Sequence, residues 1–571
     1  MRNFEIAAMF NEMAELLETK DENPFKIRAY RKAAQSLESL TKDIEDIAKQ
    51  GTLQEIPGIG RELAAKIEEI ISTGKLKAYE KLKKSIPAAI PDMVEIPGVG
   101  PNTAKLLYNK FKLKSVGQLE KLAKGHKICN LPNIKEKTEE NILRGIELLK
   151  RSKERMPLGE ALPIAIEMTG RLRSAPGVER INYAGSVRRM KETVHDIDIL
   201  ITSSKPKPIM DAFVALPRVR DILAHGATKS SVLLKEGIQV DLRIVEPESY
   251  GAALLYFTGS KQHNIHLRGI ANDMGYKINE YGVFNGKTGK RAAGEEEESI
   301  YKFLKLSYIP PELREDAGEI EAAAKGGLPD LVELKDIRGD LHVHSEWSDG
   351  AHSIKELAAA AGKRGYEYIA VTDHSESLKV AGGLSGVELK EKIKEIRDIN
   401  RKIKGLTVLA GIELDILSDG SLDIDEALLP ELDIVVAAIH SGFKQGKEKL
   451  TRRIISAMKN KHVNVIAHPT SRLMGSRDAY ELDFEEIFKV ARETNTALEI
   501  NAYPDRLDLN DINARRAKET GVAVAIGSDT HVIGQLGNMA FGVAVARRGW
   551  LEKKDVLNTL ALDKLLKKIK K

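Results

Sequence analysis

The stretch GDLHVHSEWSD at residues 339–349 carries two histidines and an aspartate at the end of a short strand-like run. His342 and His344 are two positions apart, so on a β-strand their side chains project from the same face. Imidazole and carboxylate groups are the ligands that Zn²⁺ and Mn²⁺ favour in proteins. The stretch therefore predicts a strand that ends in a metal site.

The apolar runs that follow this stretch alternate with helical patterns. They are YIAVTDH (368–374), TVLAGIEL (407–414), DIVVAAIH (433–440), VNVIAHP (463–469), ALEINAY (497–503) and VAVAIGSD (522–529). Segments such as IKELAAAAGKRG and LTRRIISAMKNK separate the runs. Because strands and helices alternate, we expect βα units, a parallel sheet and a barrel closed from that sheet.

Almost every acidic or imidazole side chain of interest here follows an apolar run directly, where barrel enzymes carry their active-site residues. We predict nine metal ligands: His342, His344, Asp349, His374, Glu413, His440, His468, Asp529 and His531. One such histidine alone is more often a structural residue. Nine at the ends of several strands make coincidence improbable, so the pattern indicates a metal-dependent hydrolase.

A second group of carboxylates lies upstream. The segment AGSVRRMKETVHDIDIL (184–200) contains Asp196 and Asp198, which project from one side of a strand. A later run, IQVDLRIV (238–245), can bring Asp241 beside them. Three carboxylates around two Mg²⁺ ions suit nucleotidyl transfer, because the ions activate the attacking hydroxyl and hold the triphosphate.

The Gly-Ser turn before this aspartate pair suits a triphosphate. Gly185 and Ser186 offer backbone N–H groups and a hydroxyl to phosphate oxygens, and Arg189 adds positive charge. We expect the run INYAGSV (181–187) around the turn to be a strand. The aspartate pair alone is weak evidence for nucleotidyl transfer, but the turn and a third aspartate make it strong.

The composition is that of a soluble protein with about three or four domains, since 571 residues exceed one hydrophobic core. Cys129 is the only cysteine, which excludes an internal disulfide and favours a reducing compartment. There is no secretory signal and no apolar run of membrane-spanning length, so we expect a cytoplasmic location and no membrane partner. A net charge of +5 permits nucleic acid binding without demanding it.

Residues 1 to about 150 are expected to be helical throughout, with an internal repeat. IPGIGRELAAKI begins at Ile56, IPGVGPNTAKLL begins at Ile96, and a degenerate copy, LPNIKEKTEENIL, begins at Leu131. Glycines in such turns let backbone N–H groups approach a phosphate, which binds DNA without reading its sequence. The candidate DNA contacts are Gly58, Gly60, Gly98 and Gly100. A plain turn between packed helices is the alternative.

The order HVHS, Asp349, TDH, GIE, IHS, AHP and SDTH resembles the PHP phosphoesterase family from residue 338 to about 560. The resemblance implies a distorted βα barrel with three metal ions, Zn²⁺ and/or Mn²⁺. It assigns His342, His344, Glu413 and Asp529 to one ion, Glu413, His440 and His468 to a second, and Asp349, His374 and His531 to the third. His352 and His462 match no ligand position.

The motifs GSVRR, DID, VDLR, YFTGS and INEYGVF resemble family X DNA polymerases, the family of DNA polymerase beta. The resemblance implies Mg²⁺ or Mn²⁺ on Asp196, Asp198 and Asp241. It also implies contacts to the incoming dNTP and the template from Gly185, Ser186, Arg189, Tyr256, Phe257, Gly259, Asn264 and Arg268. Met190 and Ile265 depart from the vertebrate pattern, at positions that concern template stacking and nucleotide affinity.

The segments AYRK (29–32) and AKI (65–67) resemble the lyase domain of the same family. By this resemblance Lys66 is the lysine that forms a Schiff base with an abasic sugar, and Tyr30 belongs to its pocket. Glu62 and Phe25 stand where basic or imidazole groups are expected, which makes the pocket less positive. Lys66 is therefore either a nucleophile or a simple contact to the DNA backbone.

The predicted architecture is multidomain: an all-α helix-hairpin-helix region, an α+β nucleotidyltransferase palm with a thumb, and a C-terminal distorted βα barrel. The expected borders give helical segments at 1–90 and 91–150, a palm at 151–250, a thumb at 251–318, a linker at 319–337 and the barrel at 338–571.

The leading hypothesis is a monomeric DNA polymerase for gap filling in base excision repair, acting on gapped or primer–template DNA. Its barrel would be a 3′–5′ exonuclease and could also process abasic or blocked 3′ ends. Two alternatives remain. The barrel could be a small-molecule phosphatase fused to a DNA-binding module, or the protein could be a non-catalytic DNA-binding scaffold.

Overall fold

The computed structural model describes residues 3–20, 22–39, 44–56, 58–85, 87, 89–94, 96, 99–129, 131, 134–135, 138–140, 142–143, 145–146 and 155–570. The chain forms two compact units. The first contains Met1–Met156 and Glu160–Gly326, and the second contains Pro157–Gly159 and Gly327–Lys571. The finer domain borders expected from the sequence remain predictions.

Short helices make up the described N-terminal part of the first unit, as the sequence predicts. They are α1 (Asn3–Thr19), α2 (Pro24–Ser39), α3 (Ile44–Lys49), α4 (Arg61–Thr73), α5 (Lys77–Lys84), α6 (Ala89–Val94), α7 (Pro101–Phe111) and α8 (Val116–Lys124). Phe10, Tyr30 and Ile67 belong to one buried core, and Leu107 and Leu119 belong to another. Two apolar cores therefore underlie the helical region.

A segment of strands and helices follows, in which two short strands pair with each other and the other five form one mixed sheet. Its elements are β1 (Met156–Pro157), α9 (Leu158–Arg173), β2 (Arg180–Tyr183), α10 (Gly185–Arg188), β3 (Thr193–Val194), β4 (Asp196–Thr202), α11 (Pro206–Val214), β5 (Val219–His225), β6 (Lys229–Leu234) and β7 (Gln239–Val245). Strands β2-β4-β7-β6-β5 form one sheet in that order, and β4 and β7 are parallel. Ile197 and Val240 on its strands form a core with Met168 of α9 and Phe213 of α11.

The predicted strand INYAGSV is shorter than expected. Strand β2 ends at Tyr183, and α10 begins at Gly185. Gly185 has φ +68°, a left-handed conformation that glycine adopts readily and that turns the chain out of the sheet. The turn starts α10, and the chain then passes through the short strand β3 into the aspartate-bearing strand β4.

The rest of the first unit combines helices with a small antiparallel sheet of order β10-β9-β8. Its elements are α12 (Tyr250–Thr258), α13 (Lys261–Asp273), β8 (Tyr276–Asn279), β9 (Gly282–Asn285), β10 (Arg291–Ala293), α14 (Glu297–Phe303) and α15 (Glu319–Ala324). The buried His263 ring contacts Glu319 at 2.7 Å and the Tyr301 hydroxyl at 2.9 Å. Helix α15, at the start of the expected linker, is therefore packed against α13.

The second unit is a nearly closed parallel barrel of seven strands, in agreement with the predicted βα barrel. The strands lie in sequence order: β11 (Gly339–Val343), β12 (Tyr368–Val371), β13 (Thr407–Asp415), β14 (Ile434–Ala438), β15 (Val465–Ile466), β16 (Ala497–Asn501) and β17 (Val524–Gly527). A parallel bridge between Val343 and Thr530 connects the first strand to the chain after the last one.

Helices surround this barrel: α16 (Ile354–Lys363), α17 (Gly386–Asn400), α18 (Lys447–Lys459), α19 (Phe484–Glu493), α20 (Asp511–Thr520), α21 (Met539–Arg548) and α22 (Leu562–Ile569). Ile369 on β12 belongs to the same core as Leu357 of α16 and Ile393 of α17, whereas its neighbour Tyr368 belongs to a second core with Leu565 and Ile569 of α22. Because the sheet is apolar on both faces, its strands read as continuous apolar runs.

Candidate metal centres and nucleotide site

The three palm carboxylates lie side by side on parallel strands. Asp198 on β4 pairs in register with Asp241 on β7, and Asp196 is two residues before Asp198. The Gln239 side chain donates a hydrogen bond of 2.9 Å to Asp241. Burial raises the pKa of Asp198 to about 7, and the nearby charge of Asp196 adds to the effect. Arg243 lies 4.0 Å from Asp241, so three neighbouring carboxylates share one nearby arginine, which fits a site built for divalent ions.

The palm carboxylates are less tightly grouped than the barrel ligands. Among the described residues, the sets of three or more ligand atoms that lie within 4.8 Å of one another are all in the barrel. The palm carboxylates are therefore adjacent through strand register, and their metal ions stay a proposal.

Gly185 makes room for the Asp198 carboxylate. A Cβ atom at Gly185 would lie 2.8 Å from Asp198 Oδ2, which is closer than such contacts normally occur. The backbone of the adjacent Ala184 donates a hydrogen bond of 2.8 Å to the carbonyl oxygen of Asp198. The turn before β4 and the aspartate on β4 therefore form one packed unit.

We expect Gly185→Ala to reduce primer extension by about 100-fold, because displacing a reacting group by about 1 Å has an effect of that size. The left-handed backbone adds a cost of about 1–2 kcal/mol for alanine. Gly177→Ala is a matched control, since Gly177 also has positive φ (+90°) but the atoms nearest to an added Cβ there belong to Ser203 and Lys205 and not to a predicted ligand. If both variants extend the primer equally in a gel assay, the close approach of Gly185 to Asp198 is not needed for polymerisation.

The structure brings the two predicted nucleotide-binding segments together. The Arg189 guanidinium donates to the carbonyl oxygen of Thr258, and its Nε lies 3.1 Å from Glu315. A Cβ atom at Gly259 would lie 3.2 Å from Arg189 Nη1. Ser186 is half-buried next to Gly185. The GSVRR and YFTGS motifs are thus neighbours, as their predicted common role requires.

The remaining predicted nucleotide contacts cluster around α12 and α13. The Asn264 side chain donates a hydrogen bond of 2.8 Å to the carbonyl oxygen of Tyr256. Arg268 Nε donates one of 3.2 Å to the carbonyl oxygen of Asn264. Tyr256 and Phe257 make an edge-to-face contact of 5.1 Å between ring centroids. The Arg243 guanidinium lies 4.4 Å from the Phe257 centroid, which links this cluster to strand β7.

Sequence reasoning missed the partner of the first arginine in GSVRR. Arg188 binds Glu297 through two hydrogen bonds of 2.9 and 2.6 Å. Arg314, which is fully buried, contacts the same carboxylate at 2.5 Å. Burial would raise the pKa of Glu297, but the two arginines lower it to about 2. Arg188 and Glu297 are 109 residues apart in sequence, so no local pattern could have indicated that they pair.

The repeated hairpins share one hydrogen-bonding pattern. In the first copy the N–H of Ile59 donates to the carbonyl of Ile56 at 3.0 Å, and in the second that of Val99 donates to Ile96 at 2.9 Å. The degenerate copy has the same contact, from Ile134, at 3.0 Å. A helix follows each turn, and its first backbone hydrogen bond runs from an N–H to the carbonyl oxygen four residues earlier. These bonds join Ala64 to Gly60, Ala104 to Gly100 and Glu139 to Lys135.

The predicted DNA-contacting glycines differ in their surroundings. Gly58 has φ +87°, and a Cβ atom there would meet the Lys32 side chain at 2.8 Å. Gly60 and Gly100 precede α4 and α7, and open space surrounds the Cβ position of each. Gly98 lies outside the described residues. The open positions leave the two helix N-termini accessible to a phosphate.

The candidate lyase residues lie together at one cleft. Lys66 forms an ion pair with Glu62 one turn earlier on α4, and its Nζ is 5.5 Å from the Tyr30 ring centroid. Burial would lower the pKa of Lys66, but Glu62 and Tyr30 raise it. Tyr30 is almost fully buried and also contacts Phe10. The structure therefore holds Lys66 as a paired cation, whereas a Schiff base requires the neutral amine.

Glu413 is the centre of the barrel cluster. Its Oε1 is 3.0 Å from His468 Nε2 and 3.2 Å from His440 Nε2. Its Oε2 is 3.3 Å from His342 Nε2 and 3.0 Å from His374 Nδ1. Burial alone would raise the pKa of Glu413, but the imidazoles of His374, His342 and His440 hold it well below its usual value.

The other predicted ligands surround this carboxylate. The groups with closely spaced ligand atoms are His344, Asp349, His374 and His531; His342, His344 and Asp529; and His374, Glu413 and His440. Eight of the nine predicted ligands are in these groups, with His344 and His374 each in two of them, and the ninth, His468, lies 3.0 Å from Glu413. The division of ligands among three ions stays a prediction. His352 and His462 are outside these groups, as expected.

The spacing between ligand atoms fits shared metal ions. Two ligands of one tetrahedral Zn²⁺ ion, each about 2.0–2.1 Å from it, are about 3.3 Å apart. His344 Nε2 and Asp529 Oδ1 are 3.3 Å apart, as are His531 Nε2 and Asp349 Oδ1. His344 Nδ1 is buried without a hydrogen bond and lies 3.6 Å from Asp349. The donor set and its spacing therefore fit divalent cations.

Two of the predicted ligands have unusual backbone conformations. His468 has φ +26° and Asp529 has φ +54°, values in which residues other than glycine are uncommon. Such conformations persist where the surrounding structure fixes them, and they concentrate at functional sites. Here they direct a ligand from the ends of β15 and β17 into the cluster.

Several supporting residues were not predicted from the sequence. A Glu499 carboxylate oxygen on β16 lies 2.7 Å from His342 Nδ1, and the Asn501 side chain donates a hydrogen bond of 3.1 Å to Asp529 Oδ2. Such partners orient a metal ligand. The signal in the sequence was Glu499 itself, a charged residue inside the apolar run ALEINAY.

A buried ion pair holds the loop that carries Asp349. Lys392 Nζ is 2.8 Å from Asp373 and 3.0 Å from the carbonyl oxygen of Gly411. Asp373 in turn accepts hydrogen bonds from the Ser345 backbone at 2.7 Å and from the Ser348 hydroxyl at 2.8 Å. The pair therefore fixes the loop between β11 and α16.

We expect Lys392→Met to lower the free energy of unfolding of the barrel by about 3–5 kcal/mol, because it leaves a buried carboxylate without its cation. Adding Asp373→Asn should restore part of this loss, since the charge is then removed as well. Lys390→Met, at an exposed position of α17 two residues before Lys392, is the control. Thermal unfolding that is the same for all variants would contradict this role.

No helix in the described part of the chain is both long and apolar enough to cross a membrane.

Family models match four parts of the chain. A helix-hairpin-helix domain matches residues 1–76, and a SAM-like helix-hairpin-helix tandem matches 90–147. The DNA polymerase beta thumb matches 253–315, and the PHP domain matches 340–503. The tandem includes the degenerate third hairpin, in agreement with its hydrogen bonds.

Curated relatives cover either the whole chain or the barrel alone. The chain is 40% identical over 564 residues to the DNA polymerase/3′-5′ exonuclease PolX of Bacillus subtilis (strain 168), covering 98% of both chains. A probable phosphatase of Thermoanaerobacter sp. (strain X514) is 32% identical and covers 38% of this chain and 89% of its own length. A probable phosphatase of Caldanaerobacter subterraneus is 30% identical over 40% of this chain and 88% of its own length.

The full-length relative, the thumb and helix-hairpin-helix matches and the PHP match agree with the observed fold. The chain belongs to the family X DNA polymerases that carry a C-terminal PHP domain.

Proposed function

We propose that this protein is a DNA polymerase that fills short gaps during base excision repair and that its barrel is a 3′–5′ exonuclease. The proposal is supported by two separate sets of candidate metal ligands, one on the paired strands β4 and β7 and one in the barrel, and by a full-length relative that bears the name of both activities. Processing of abasic or blocked 3′ ends by the barrel is part of the same proposal.

In the palm, Asp196, Asp198 and Asp241 would hold Mg²⁺ or Mn²⁺. The ions would supply the activation of the primer 3′-hydroxyl and the charge that the triphosphate requires. The chain itself would bind the dNTP through the backbone at Gly185 and Ser186 and through Arg189. Tyr256, Phe257, Gly259, Asn264 and Arg268 would line the sugar and the nascent base pair.

The helical region would hold gapped or primer–template DNA by its backbone. Support comes from the open helix N-termini at Gly60 and Gly100 and from the helix-hairpin-helix matches. Gly58, Gly98 and Tyr30 would complete this surface, with Lys66 as the candidate for an abasic-site lyase. We propose a monomer in the cytoplasm, in keeping with the single cysteine.

In the barrel, the nine ligands would hold up to three Zn²⁺ and/or Mn²⁺ ions, which supply a hydroxide at neutral pH and charge neutralisation at the phosphate. Glu499 and Asn501 would keep His342 and Asp529 in orientation. A phosphodiester of DNA is the substrate we propose, because the barrel is joined to DNA-binding modules.

A small-molecule phosphatase remains the second candidate for the barrel. It is favoured by the probable phosphatases that match this part of the chain alone. The two candidates differ in the phosphate bond that is cut: an internal diester of DNA, or a small monoester.

A single labelled strand tests both activities. The protein is incubated with a 5′-labelled primer on a one-nucleotide gap, with Mg²⁺ or Mn²⁺, with and without dNTPs. We expect lengthening with dNTPs and shortening without them. Turnover of a small phosphate monoester without any shortening of DNA would favour the phosphatase, and binding of gapped DNA with neither reaction would favour a scaffold.

A further inference from the structure

A cavity of about 490 Å³ lies in the barrel unit. The residues that line it include Thr470, Arg472, Tyr480, Phe484 and Asp508. Of the nine predicted metal ligands, all of which the structure describes, none is among the lining residues. Sites for small ligands commonly have volumes of about 300–1,000 Å³. The barrel therefore has a second concave site of suitable size outside the metal cluster.

Two short connections join this cavity to the metal cluster. Thr470 follows the predicted ligand His468 by two residues, in the loop after β15. Asp508 lies in the loop after β16, and the Asn501 N–H donates a hydrogen bond of 2.6 Å to its carbonyl oxygen. The Asn501 side chain in turn binds the predicted ligand Asp529. The cavity and the cluster therefore lie at the same end of the barrel.

Asp508 is a buried carboxylate with an unused acceptor. The residue is only 1% exposed. Its Oδ2 accepts hydrogen bonds of 2.9 Å from both the N–H and the hydroxyl of Thr470. Its Oδ1 is buried and has no hydrogen-bond partner among the described residues. Burial raises the pKa of Asp508 to about 6, although the nearby Arg472 opposes this effect. Buried polar atoms nearly always have a partner, so Oδ1 calls for a donor that the chain itself does not supply.

The loop that carries Asp508 is held in place on both sides. Arg472 Nε donates a hydrogen bond of 2.7 Å to the carbonyl oxygen of Arg506, and its Nη2 donates to that of Leu507. The Asp508 N–H donates one of 3.3 Å to the carbonyl oxygen of Asn501. A site that already has its binding conformation loses less entropy when a ligand arrives.

Two aromatic side chains line the cavity together with Asp508. Tyr480 and Phe484 are both half-buried. Tyr480 also lies nearly parallel to Phe443, with 6.2 Å between the ring centroids and 21° between the ring planes. Nucleobases stack on such rings whatever their sequence. Pockets that hold a single base combine stacking of this kind with hydrogen bonds to the edge of the base.

We propose that the cavity is a nucleobase subsite of the barrel. It takes the base of the 3′-terminal nucleotide of a single DNA strand, and Asp508 Oδ1 accepts a hydrogen bond from an amino group of that base. A carboxylate accepts such a bond from the amino group of cytosine, and adenine carries a similar group. This inference rests on the proposed nuclease function and adds a preference for the base that is removed.

The variant Asp508→Asn should reverse the polarity of this contact. The Thr470 N–H can only donate, so the amide oxygen of the new side chain takes the place of Oδ2. The NH₂ group then takes the place of Oδ1. The variant therefore presents a donor to the base where the wild type presents an acceptor, with almost no change in shape.

A pair of DNA strands that differ by one amino group tests the proposal. Both are 5′-labelled single strands of one sequence, ending at the 3′ side in cytosine or in 2-pyrimidinone, which is cytosine without its amino group. The full chain with Mn²⁺ gives kcat/KM for removal of the terminal nucleotide. Asp563→Asn, at an exposed carboxylate of α22 that does not line the cavity, is the matched control. Calorimetric titration with dCMP and its pyrimidinone analogue measures binding without turnover.

We expect the wild type and Asp563→Asn to favour the cytosine strand on the order of 10-fold, the effect of one hydrogen bond to a charged group. Asp508→Asn should lose or reverse this preference. Its rate on the pyrimidinone strand should stay within about 2-fold of the wild type, because that base makes no bond to Oδ1. Metal content by mass spectrometry should be the same in all three proteins.

Two results would overturn the inference. If the wild type cuts both strands equally, no amino group is recognised, and this comparison needs no variant. If Asp508→Asn keeps the wild-type preference, Asp508 is not the acceptor. A wild type that cuts neither strand would instead refute the proposed nuclease. The titrations then decide the subsite, since equal affinity for dCMP and its analogue would contradict it.

Discussion

Replacing Asp198 with asparagine should reduce primer extension by about 10³-fold or more, while shortening of the same strand by the barrel continues. A metal ligand contributes several kcal/mol to stabilisation of the phosphoryl-transfer transition state, and each 1.4 kcal/mol changes the rate about tenfold. Asp198 pairs in register with Asp241 and contacts the turn that carries the predicted triphosphate site. Its loss should therefore remove chemistry and not only DNA binding.

The same variant should be at least as stable as the wild type in the absence of metal. Burial raises the pKa of Asp198 to about 7, above the ordinary aspartate value of 3.8, so the folded protein favours the protonated form. The contribution of Asp198 to the free energy of unfolding is therefore fully present below pH 3.8 and is lost as the pH rises through about 7. Asparagine removes that loss, so at pH 8 the melting temperature should not fall.

Asp211→Asn is the control for this variant. Asp211 lies on the surface of α11 and pairs with Lys207, away from the three carboxylates. Extension should be unchanged in this control, as measured on the gapped primer. If Asp198→Asn extends the primer at the wild-type rate, the palm assignment is wrong.

Strands and ligand-bearing positions could be predicted because the signals for them are local. Runs such as YIAVTDH show the strand, and the polar residue at the end of each run shows where a barrel places its ligands. The aspartate pair on β4 follows from the two-residue period of a strand. The PHP and family X resemblances then supplied the expected grouping, and the comparisons confirmed the family.

The residues that support these sites could not be predicted, because their partners are distant in sequence. Arg188 and Glu297 are 109 positions apart, and His342 and Glu499 are 157 apart. A buried charge such as Lys392 shows only that some partner must exist. Which partner it has depends on how strands and helices pack, and a single sequence does not contain that information in any local pattern.

Replacing Glu413 with glutamine should reduce DNA hydrolysis by the barrel about 10³-fold or more and should remove at least one metal ion per chain. Glu413 lies within 3.3 Å of four imidazoles, one oxygen facing His440 and His468 and the other facing His342 and His374. Glutamine has nearly the same shape but no negative charge, and an NH₂ group, which only donates hydrogen bonds, replaces one of the two acceptor oxygens. It would hold divalent cations less well than the carboxylate, so the charge that the ions would supply to the transition state, worth several kcal/mol, would be reduced.

Metal analysis separates this role from a general loss of structure. Glu431→Gln, at an exposed residue before β14, is the matched control and should keep the full metal content and nuclease activity of the wild type. Primer extension should be the same in the wild type and both variants, since the palm carboxylates belong to the other unit. A Glu413→Gln protein that retains its full metal content and shortens DNA at the wild-type rate would show that the central carboxylate is not a ligand. If the variant loses both nuclease activity and primer extension, it is unfolded beyond the barrel. The circular dichroism melting curve of the same sample would reveal this unfolding.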